Sequence, residues 1–198
     1  SKVHLLNGRS VTPYPAAIVG TANHRELGMT ADCSLVFAGI PYQHIPLMYD
    51  LVTDELITRH PQRHVDLILE SHLISQFTIL GETFVRVREE QTGLSTGFYQ
   101  EIYAGDTYAS YAKHSKLIGV YNSGSLIERR YIPSITYYLL DFRHPAGTRI
   151  IRKQSDLLAL DKTRRREDRK MLRENSLTFR SKPGQPLAGV LAYLDRQK

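Results

Sequence analysis

Two histidines four residues apart, followed by an aspartate, are the residues whose types could hold a metal ion. His60 and His64 enclose Pro61, and Asp66 follows two positions later. Imidazole and carboxylate groups are common zinc ligands, and histidines at this spacing share a face in a helix. Pro61 opposes a helix because it lacks a backbone N–H. A metal site would therefore need a third ligand from elsewhere. We favour the simpler interpretation, a polar hairpin tip, and expect neither a metal nor a cofactor.

The remaining nucleophiles and carboxylates carry no catalytic signature. Cys33 is the single cysteine, and we expect it half-buried at the end of a strand. Asp50, Asp54 and Glu55 flank one short segment, where aspartate ordinarily forms turns. The run Asn-Ser-Gly-Ser at 122–125 lacks the first glycine of the G-x-S-x-G hydrolase motif and its strand-to-helix context. We interpret this run as a loop tip, and we expect no enzymatic activity.

Positive charge is concentrated near the end of the chain. Residues 1–148 hold 12 Lys and Arg against 14 Asp and Glu, whereas residues 149–182 hold 12 against 5, within a net charge of +6. A basic helix can bind phosphates. Acidic side chains interrupt this one, however, and it has no aromatic residue to stack on bases. We favour a solvated charged helix. Its candidate function is a partner-docking surface, with anion or nucleic-acid binding through 162–173 and contact with an anionic membrane surface as less favoured alternatives. The candidate partner-binding residues are Arg164, Arg165, Arg166, Arg169 and Lys170.

The spacing of apolar residues, which predicts the secondary structure that positions these side chains, changes along the chain. From residue 34 to residue 151, short apolar runs alternate with Gly-containing or polar turns about every ten residues. This spacing predicts antiparallel strands in a meander. We therefore expect a mainly β fold, a sandwich or partly open barrel closed by two C-terminal helices. The predicted organisation is a body over 1–152, with an extended segment over about 1–33, and a helical appendage over 153–198 packed on the same domain.

Capping and periodicity predict the C-terminal helices. Ser155 is an expected N-cap of a short turn, and Asp161 is an expected cap of a solvated helix over 162–175. A last helix starts near Pro183 and carries an apolar stripe that should dock on the body. The stripe consists of Leu187, Val190, Leu191 and Leu194. An exposed aromatic patch would indicate a binding module, and the candidate residues for it are Tyr103, Tyr108, Tyr111 and Tyr121.

Six short runs, in a fixed order, carry a resemblance to a known family. They are IPLMYDLVTDELI at 45–57, SQFTILGETFV at 75–85, TGFY at 96–99, YYL at 137–139, KQSDLL at 153–158 and ENSLTF at 174–179. Together they resemble an uncharacterised family of secreted proteins common in Bacteroidota. The chain departs from the family pattern around 23–30 and in having an Arg-rich instead of a Lys-rich helix. The resemblance implies export to the cell envelope and carries over no catalytic residue.

These observations give one functional expectation and its alternatives. We expect a non-enzymatic envelope-associated protein, in the periplasm or at the outer membrane with its signal peptide removed. Its expected partner is an envelope protein or a glycan. The alternative is a hydrolase of an extracytoplasmic substrate, which should have a pocket with two convergent titratable groups. We expect no transmembrane segment, since no apolar run approaches about 18 residues.

Overall fold

The fold is mainly β. The structure, a computed structural model, describes residues 8–123, 126–143, 148–159, 166, 170, 173 and 183–196. The described strands are β1 (Arg9–Ser10), β2 (Ile18–Val19), β3 (Thr30–Phe37), β4 (Ile40–Asp50), β5 (Glu55–Arg59), β6 (Asp66–Ile68), β7 (Ile74–Ile79), β8 (Glu82–Val87), β9 (Gly97–Ala104), β10 (Tyr108–Ser123), β11 (Leu126–Asp141) and β12 (Arg149–Ile151). The bounded α-helices are α1 (Glu89–Thr92), α2 (Gln154–Leu157) and α3 (Gly184–Asp195).

The chain forms two compact units that are not consecutive in sequence. The first comprises Ser1–Arg86 and His114–Ser134, and the second comprises Val87–Lys113 and Ile135–Lys198. The long strands β10 and β11 therefore contribute to both units. The predicted change from body to appendage at residue 152 lies within the second unit.

The first unit contains strands in the order β1-β6-β5-β4-β3-β7-β8, in which β3 to β6 form a meander, β7 and β8 form a hairpin, and the pairs β1–β6 and β3–β7 are crossovers. Neighbouring strands in it are antiparallel, for example Asp50 opposite Glu55. Two tight hairpins close at Gly39 and Gly81, where φ is 76° and 74°. The preceding residues, Ala38 and Leu80, also have positive φ. Two consecutive positive φ values are the geometry of a type I′ turn, which matches the twist of the strands it joins.

Aromatic rings fill the core of the first unit. Phe77 and Phe84 stack in parallel with centroids 4.9 Å apart, and Tyr49 meets both edge-on. Phe77 and Phe84 come from the neighbouring strands β7 and β8, and Tyr49 comes from β4, which is separated from β7 by β3. Cys33 is also buried, but inside β3 and not half-buried at a strand end as predicted.

The second unit combines strands β9 to β12 with the three helices. Its core is a cluster built around α3 and β11, with Leu139, Leu187, Val190 and Leu191 fully buried. The predicted apolar stripe of the last helix is thus confirmed, and Leu194 also packs against the cluster.

The fold class predicted from sequence is confirmed, with local corrections. The molecule is mainly β, largely antiparallel, with a C-terminal helix. One parallel pair, β2 with β11, departs from the meander. The N-cap of α2 is Lys153, two residues before the predicted Ser155. The Asp156 carboxylate accepts hydrogen bonds from the backbone N–H groups of Arg152 and Lys153, at 2.9 and 3.1 Å, and so replaces a serine cap. Asp161 lies outside the described residues.

Candidate functional site

The longest described strands continue past the end of β9, where β2 pairs with β11 at Arg129 and Arg130. β10 and β11 each contain 16 residues and pair with each other. β9 pairs with β10 over Ala109 to Ala112, and the distal part of β10 continues beyond that contact. We call residues 117–123 and 126–132 the apolar ribbon.

Exposed apolar side chains are concentrated on this ribbon. Seven of the sixteen large apolar side chains that are exposed among the described residues belong to it, so the exposure is local and not scattered. Leu117 is 68% exposed, Leu126 73% and Ile127 74%. Soluble proteins rarely expose contiguous apolar patches unless the patch binds something. The other exposed members are Ile118, Val120, Tyr121 and Ile132.

The ribbon is apolar on both of its faces. Consecutive side chains of a strand point to opposite faces. Leu117 with Ile118 and Leu126 with Ile127 therefore each place one apolar group on either side. A strand that covers a core has one apolar face, which packs on the core, and one polar face, which is exposed to solvent. The side-chain pattern of this ribbon is therefore typical of strands that are buried on both faces.

Two side-chain arrangements shape the ribbon internally. The Arg130 guanidinium lies 5.8 Å from the centroid of the Tyr121 ring and binds the Glu128 carboxylate. This hydrogen bond lowers the pKa of the Glu128 carboxyl. Gly119 lets Ile132 lie across the strand, because a Cβ at position 119 would stand 2.3 Å from Cδ1 of Ile132.

A buried lysine anchors the base of the ribbon. Lys116 is 4% exposed. Its Nζ donates to the backbone oxygens of Thr21 and Asn23, both at 2.8 Å, and to the Glu26 carboxylate. This hydrogen bond from Lys116 is the main cause that lowers the pKa of Glu26. A buried ammonium is tolerated when its donors are satisfied, and here three acceptors from one turn surround it.

A histidine–carboxylate pair holds the same turn from the opposite side. The buried His24 ring donates from Nε2 to Oε2 of Glu82 at 2.6 Å, and Arg25 binds the other carboxylate oxygen. Burial raises the pKa of the Glu82 carboxyl, but the hydrogen bonds from His24 and Arg25 outweigh it and hold the pKa at about 2. His114 of β10 meets the His24 ring edge-on at 5.1 Å. We call Lys116, Glu82 and the turn 21–26 the polar clamp.

The predicted hairpin at His60 and His64 is confirmed. Both lie in the turn that joins β5 to β6, and His60 Nδ1 accepts hydrogen bonds from the N–H groups of Gln62 and Arg63. The Asp66 carboxylate binds the Arg59 guanidinium through both oxygens, at 2.7 and 3.2 Å. Within the described residues no group of three His, Cys, Asp or Glu side chains is arranged to hold a metal ion.

The acidic segment after β4 forms the predicted turn. Asp50 Oδ1 accepts hydrogen bonds from the N–H groups of Val52 and Thr53, at 2.8 and 3.2 Å. The Tyr14 hydroxyl donates to the other oxygen at 2.9 Å. These carboxylate oxygens stabilise the turn and the N-terminal segment. Of the run 122–125, predicted as a loop tip, Asn122 and Ser123 form the end of β10, and Gly124 and Ser125 lie outside the described residues.

The basic helix is described at three positions only. Arg166, Lys170 and Arg173 are helical and exposed, and their spacing of four and three residues places them on one face. The other candidate partner-binding residues, Arg164, Arg165 and Arg169, lie outside the described residues. A docking role for this helix stays a prediction.

The predicted aromatic patch does not form as a surface. Tyr108 is buried in the core of the second unit. The Tyr103 hydroxyl donates to Asp195 at 2.7 Å, and burial together with this bond raises the pKa of Tyr103 to about 12. Tyr111 packs edge-on against Tyr99. Tyr121 is the exposed member of the set, and it belongs to the apolar ribbon.

The second unit also contains a cavity of about 540 Å³ beside β11 and β12. Its described lining is mainly Ile and Tyr side chains, with Arg152 as the charged group. No carboxylate or histidine belongs to that described lining. The pair of convergent titratable groups expected of a hydrolase is therefore not found among these residues, and the absence of enzymatic activity stays a prediction.

The sequence contained a signal for the ribbon that the motif search missed. Residues 117–121 read Leu-Ile-Gly-Val-Tyr, with apolar residues at neighbouring positions on both sides of the glycine. Such a run predicts a strand buried on both faces. Only the structure shows that Leu117 and Val120 in this run stay 68% and 60% exposed.

Comparison of the chain with protein-family models, with curated proteins and with solved structures finds no significant match. Within the described residues, no helix combines the length and apolar composition needed to cross a membrane.

Proposed function

We propose that this chain is a non-enzymatic binding component of the cell envelope that contacts a partner protein through the apolar ribbon. The single observation that supports the proposal is the exposure of aliphatic side chains on both faces of this ribbon. Leaving Leu126 and Ile127 in water costs roughly 1–2 kcal/mol each relative to burial. A partner that covers them recovers this free energy. The envelope location rests on the family resemblance alone.

The chemistry of the ribbon favours a protein over a lipid or a glycan. Hydrocarbon does not tolerate open sheet edges, because their N–H and C=O groups find no hydrogen-bond partner there. A glycan presents hydroxyl groups, which Leu and Ile side chains cannot hydrogen-bond. A protein surface can supply apolar side chains and backbone hydrogen bonds together. It is the partner that satisfies both features of the ribbon.

Photo-crosslinking in living source cells tests the proposal directly. A photo-reactive amino acid is placed at position 126 or 127, and in matched controls at Ile40 or Val65, which are exposed apolar positions of other hairpins. We expect one discrete heterologous adduct from the ribbon positions, enriched in the envelope fraction and absent from the controls. Adducts of equal yield from all four positions, or none from the ribbon, would contradict the proposal.

The same assay separates the ribbon from the basic helix. Charge reversal at Arg164, Arg165 and Arg166 removes the docking surface predicted from sequence. If the adduct at position 127 persists in this variant and disappears with Leu117→Ser plus Leu126→Ser, the ribbon is the docking surface. The opposite pattern assigns docking to the helix.

A further inference from the structure

The contacts between β10 and β11 assign the side chains of the apolar ribbon to two faces. The Arg130 guanidinium lies over the Tyr121 ring, and a Cβ at Gly119 would meet the Ile132 side chain. These four residues therefore share one face. Because consecutive side chains of a strand alternate between faces, Arg129 lies on the opposite face, which we call the Arg129 face. Its exposed apolar members are Ile118, Val120 and Ile127.

The two faces differ in whether their exposed charge is compensated. On the first face, Arg130 Nη2 donates to Glu128 Oε2 at 3.1 Å, so this cation has its counter-charge beside it. On the other face, the Arg129 side chain is exposed, and no carboxylate among the described residues pairs with its guanidinium. Lys116 lies on the same face by alternation, but it is buried and bound to Glu26. Arg129 is therefore the exposed cation of this face in the described part of the chain.

Arg129 stands among the apolar side chains that a partner has to cover. It lies two positions from Ile127 along β11, a separation of roughly 7 Å. Ile127 is 74% exposed, and Val120 on the same face is 60% exposed. A partner that covers these side chains also removes water from the neighbouring guanidinium. A charge that loses its water without gaining a partner is strongly unfavourable, so the partner has to supply an acceptor.

The backbone around Arg129 is already paired. β11 has β10 on one side, and β2 pairs with it in parallel on the other, with Ile18 opposite Arg129. A further strand therefore cannot add to β11 at this position. Recognition of the Arg129 face depends on its side chains, which offer apolar contact and one guanidinium.

We propose that the partner protein binds the Arg129 face through an acidic side chain that is surrounded by apolar residues. This inference rests on the proposed function and specifies the chemistry of the partner. A carboxylate is the matching acceptor, because a guanidinium donates two parallel hydrogen bonds to its two oxygens. The net charge of +6 also attracts an acidic partner before contact. The ion pair fixes the orientation of an apolar contact that by itself has no direction.

Charge variants at position 129 test the proposal by photo-crosslinking from position 127 in living source cells. Arg129→Glu should lower the adduct yield by about tenfold, because two carboxylates then face each other. Arg63→Glu is the matched control, since it makes the same charge change at an exposed arginine of the turn between β5 and β6. It should change the yield by less than about twofold. Both variants should keep the urea midpoint of the wild type, because both side chains are exposed.

The outcomes separate this inference from the proposed function. An adduct that forms equally in the wild type and in Arg129→Glu would overturn the acidic partner and leave the ribbon as the docking surface. An equal loss in Arg63→Glu would also overturn it, since net charge and not position would then decide. If the wild type gives no ribbon adduct, the proposed function and this inference fail together.

The captured partner provides a second test through a charge swap. Mass spectrometry of the adduct should place an Asp or Glu of the partner beside the crosslinked residue. Replacing that acidic residue by Lys should restore the adduct of Arg129→Glu, because the ion pair is then re-formed with its charges exchanged. A swap that restores nothing would contradict the proposed pair.

Discussion

Two neighbouring residues of β10 reverse the usual relation between polarity and burial. Lys116 is 4% exposed and Leu117 is 68% exposed. The reversal extends to their neighbours, since His24 beside Lys116 in the polar clamp is 3% exposed whereas Leu126 and Ile127 of the apolar ribbon are 73% and 74% exposed. A charged group is ordinarily the last to be buried and a leucine among the first. The difference between Lys116 and Leu117 shows that burial at these positions depends on the contacts that each side chain makes within the chain.

The polar clamp is complete within the chain. Lys116 reaches three acceptors of the turn 21–26, and Glu82 receives hydrogen bonds from His24 and Arg25. The turn is itself strained, with positive φ at Arg25 and Glu26. Such a backbone persists when its surroundings determine it strongly. The apolar ribbon has no comparable cover among the described residues, which is why we assign its partners outside the chain.

The largest expected effect comes from removing the cation of the clamp. Lys116→Met should lower the free energy of unfolding by about 2–4 kcal/mol, because it leaves the backbone oxygens of Thr21 and Asn23 without their donor, whereas water can solvate the largely exposed Glu26 carboxylate. The measurement is urea denaturation at neutral pH. Arg129→Met is the control, because Arg129 is exposed on the ribbon, and it should change stability by less than about 0.5 kcal/mol. If Lys116→Met and Arg129→Met lowered the free energy of unfolding equally, the difference proposed between the polar clamp and the apolar ribbon would be wrong.

The next effect depends on pH. The pKa of Glu82 is held at about 2 in the folded chain, below the value of about 4.3 for an unperturbed glutamate. The stabilisation is therefore fully present above about pH 4.3 and is lost as the pH falls through about 2. After allowance for the exposed part of this carboxylate, Glu82→Gln should cost about 2–3 kcal/mol at neutral pH.

The check on Glu82 is the pH dependence of the difference in stability. Urea denaturation at pH 7, 4 and 2 should show the wild type and Glu82→Gln converging as the pH falls. Glu128→Gln serves as the comparison on the ribbon, where the pair with Arg130 is exposed and screened by solvent. Its effect should be smaller at every pH. A constant difference for Glu82→Gln would mean that its carboxylate is not held by His24 and Arg25.

The smallest effect on stability is expected on the ribbon. Leu126→Ser with Ile127→Ser should change the free energy of unfolding by less than about 0.5 kcal/mol, because both side chains are already in water. The fully buried Leu47 is the matched control, and Leu47→Ala should cost about 2–5 kcal/mol. A large loss in the ribbon variant would show that these side chains are covered in the free protein.

Predictions from the sequence were confirmed for features that depend on residues close to one another in the chain. Gly39 and Gly81 marked two tight hairpins, since only positive φ closes such turns. The stripe from Leu187 to Leu194 marked the buried face of α3. The proline between His60 and His64 marked a turn. Each of these depends on contacts within a few positions.

Contacts between distant residues could not be predicted in the same way. His24 and Glu82 are 58 positions apart, and Lys116 lies more than 90 positions from Thr21. Nothing in their local patterns distinguishes them from surface residues. The four tyrosines show the same limit, since Tyr103, Tyr108 and Tyr111 found partners within the second unit and Tyr121 did not.

The sequence by itself determined the periods of this chain: short alternating strands, tight turns and a C-terminal apolar helix. These follow from side-chain alternation and from backbone conformations that each residue type permits. Only the tertiary structure decided which apolar run would be covered and which charge would be buried. Burial is a property of the partners that folding brings together. Lys116 found its partners within the chain, whereas Leu117, one position further along β10, stays exposed.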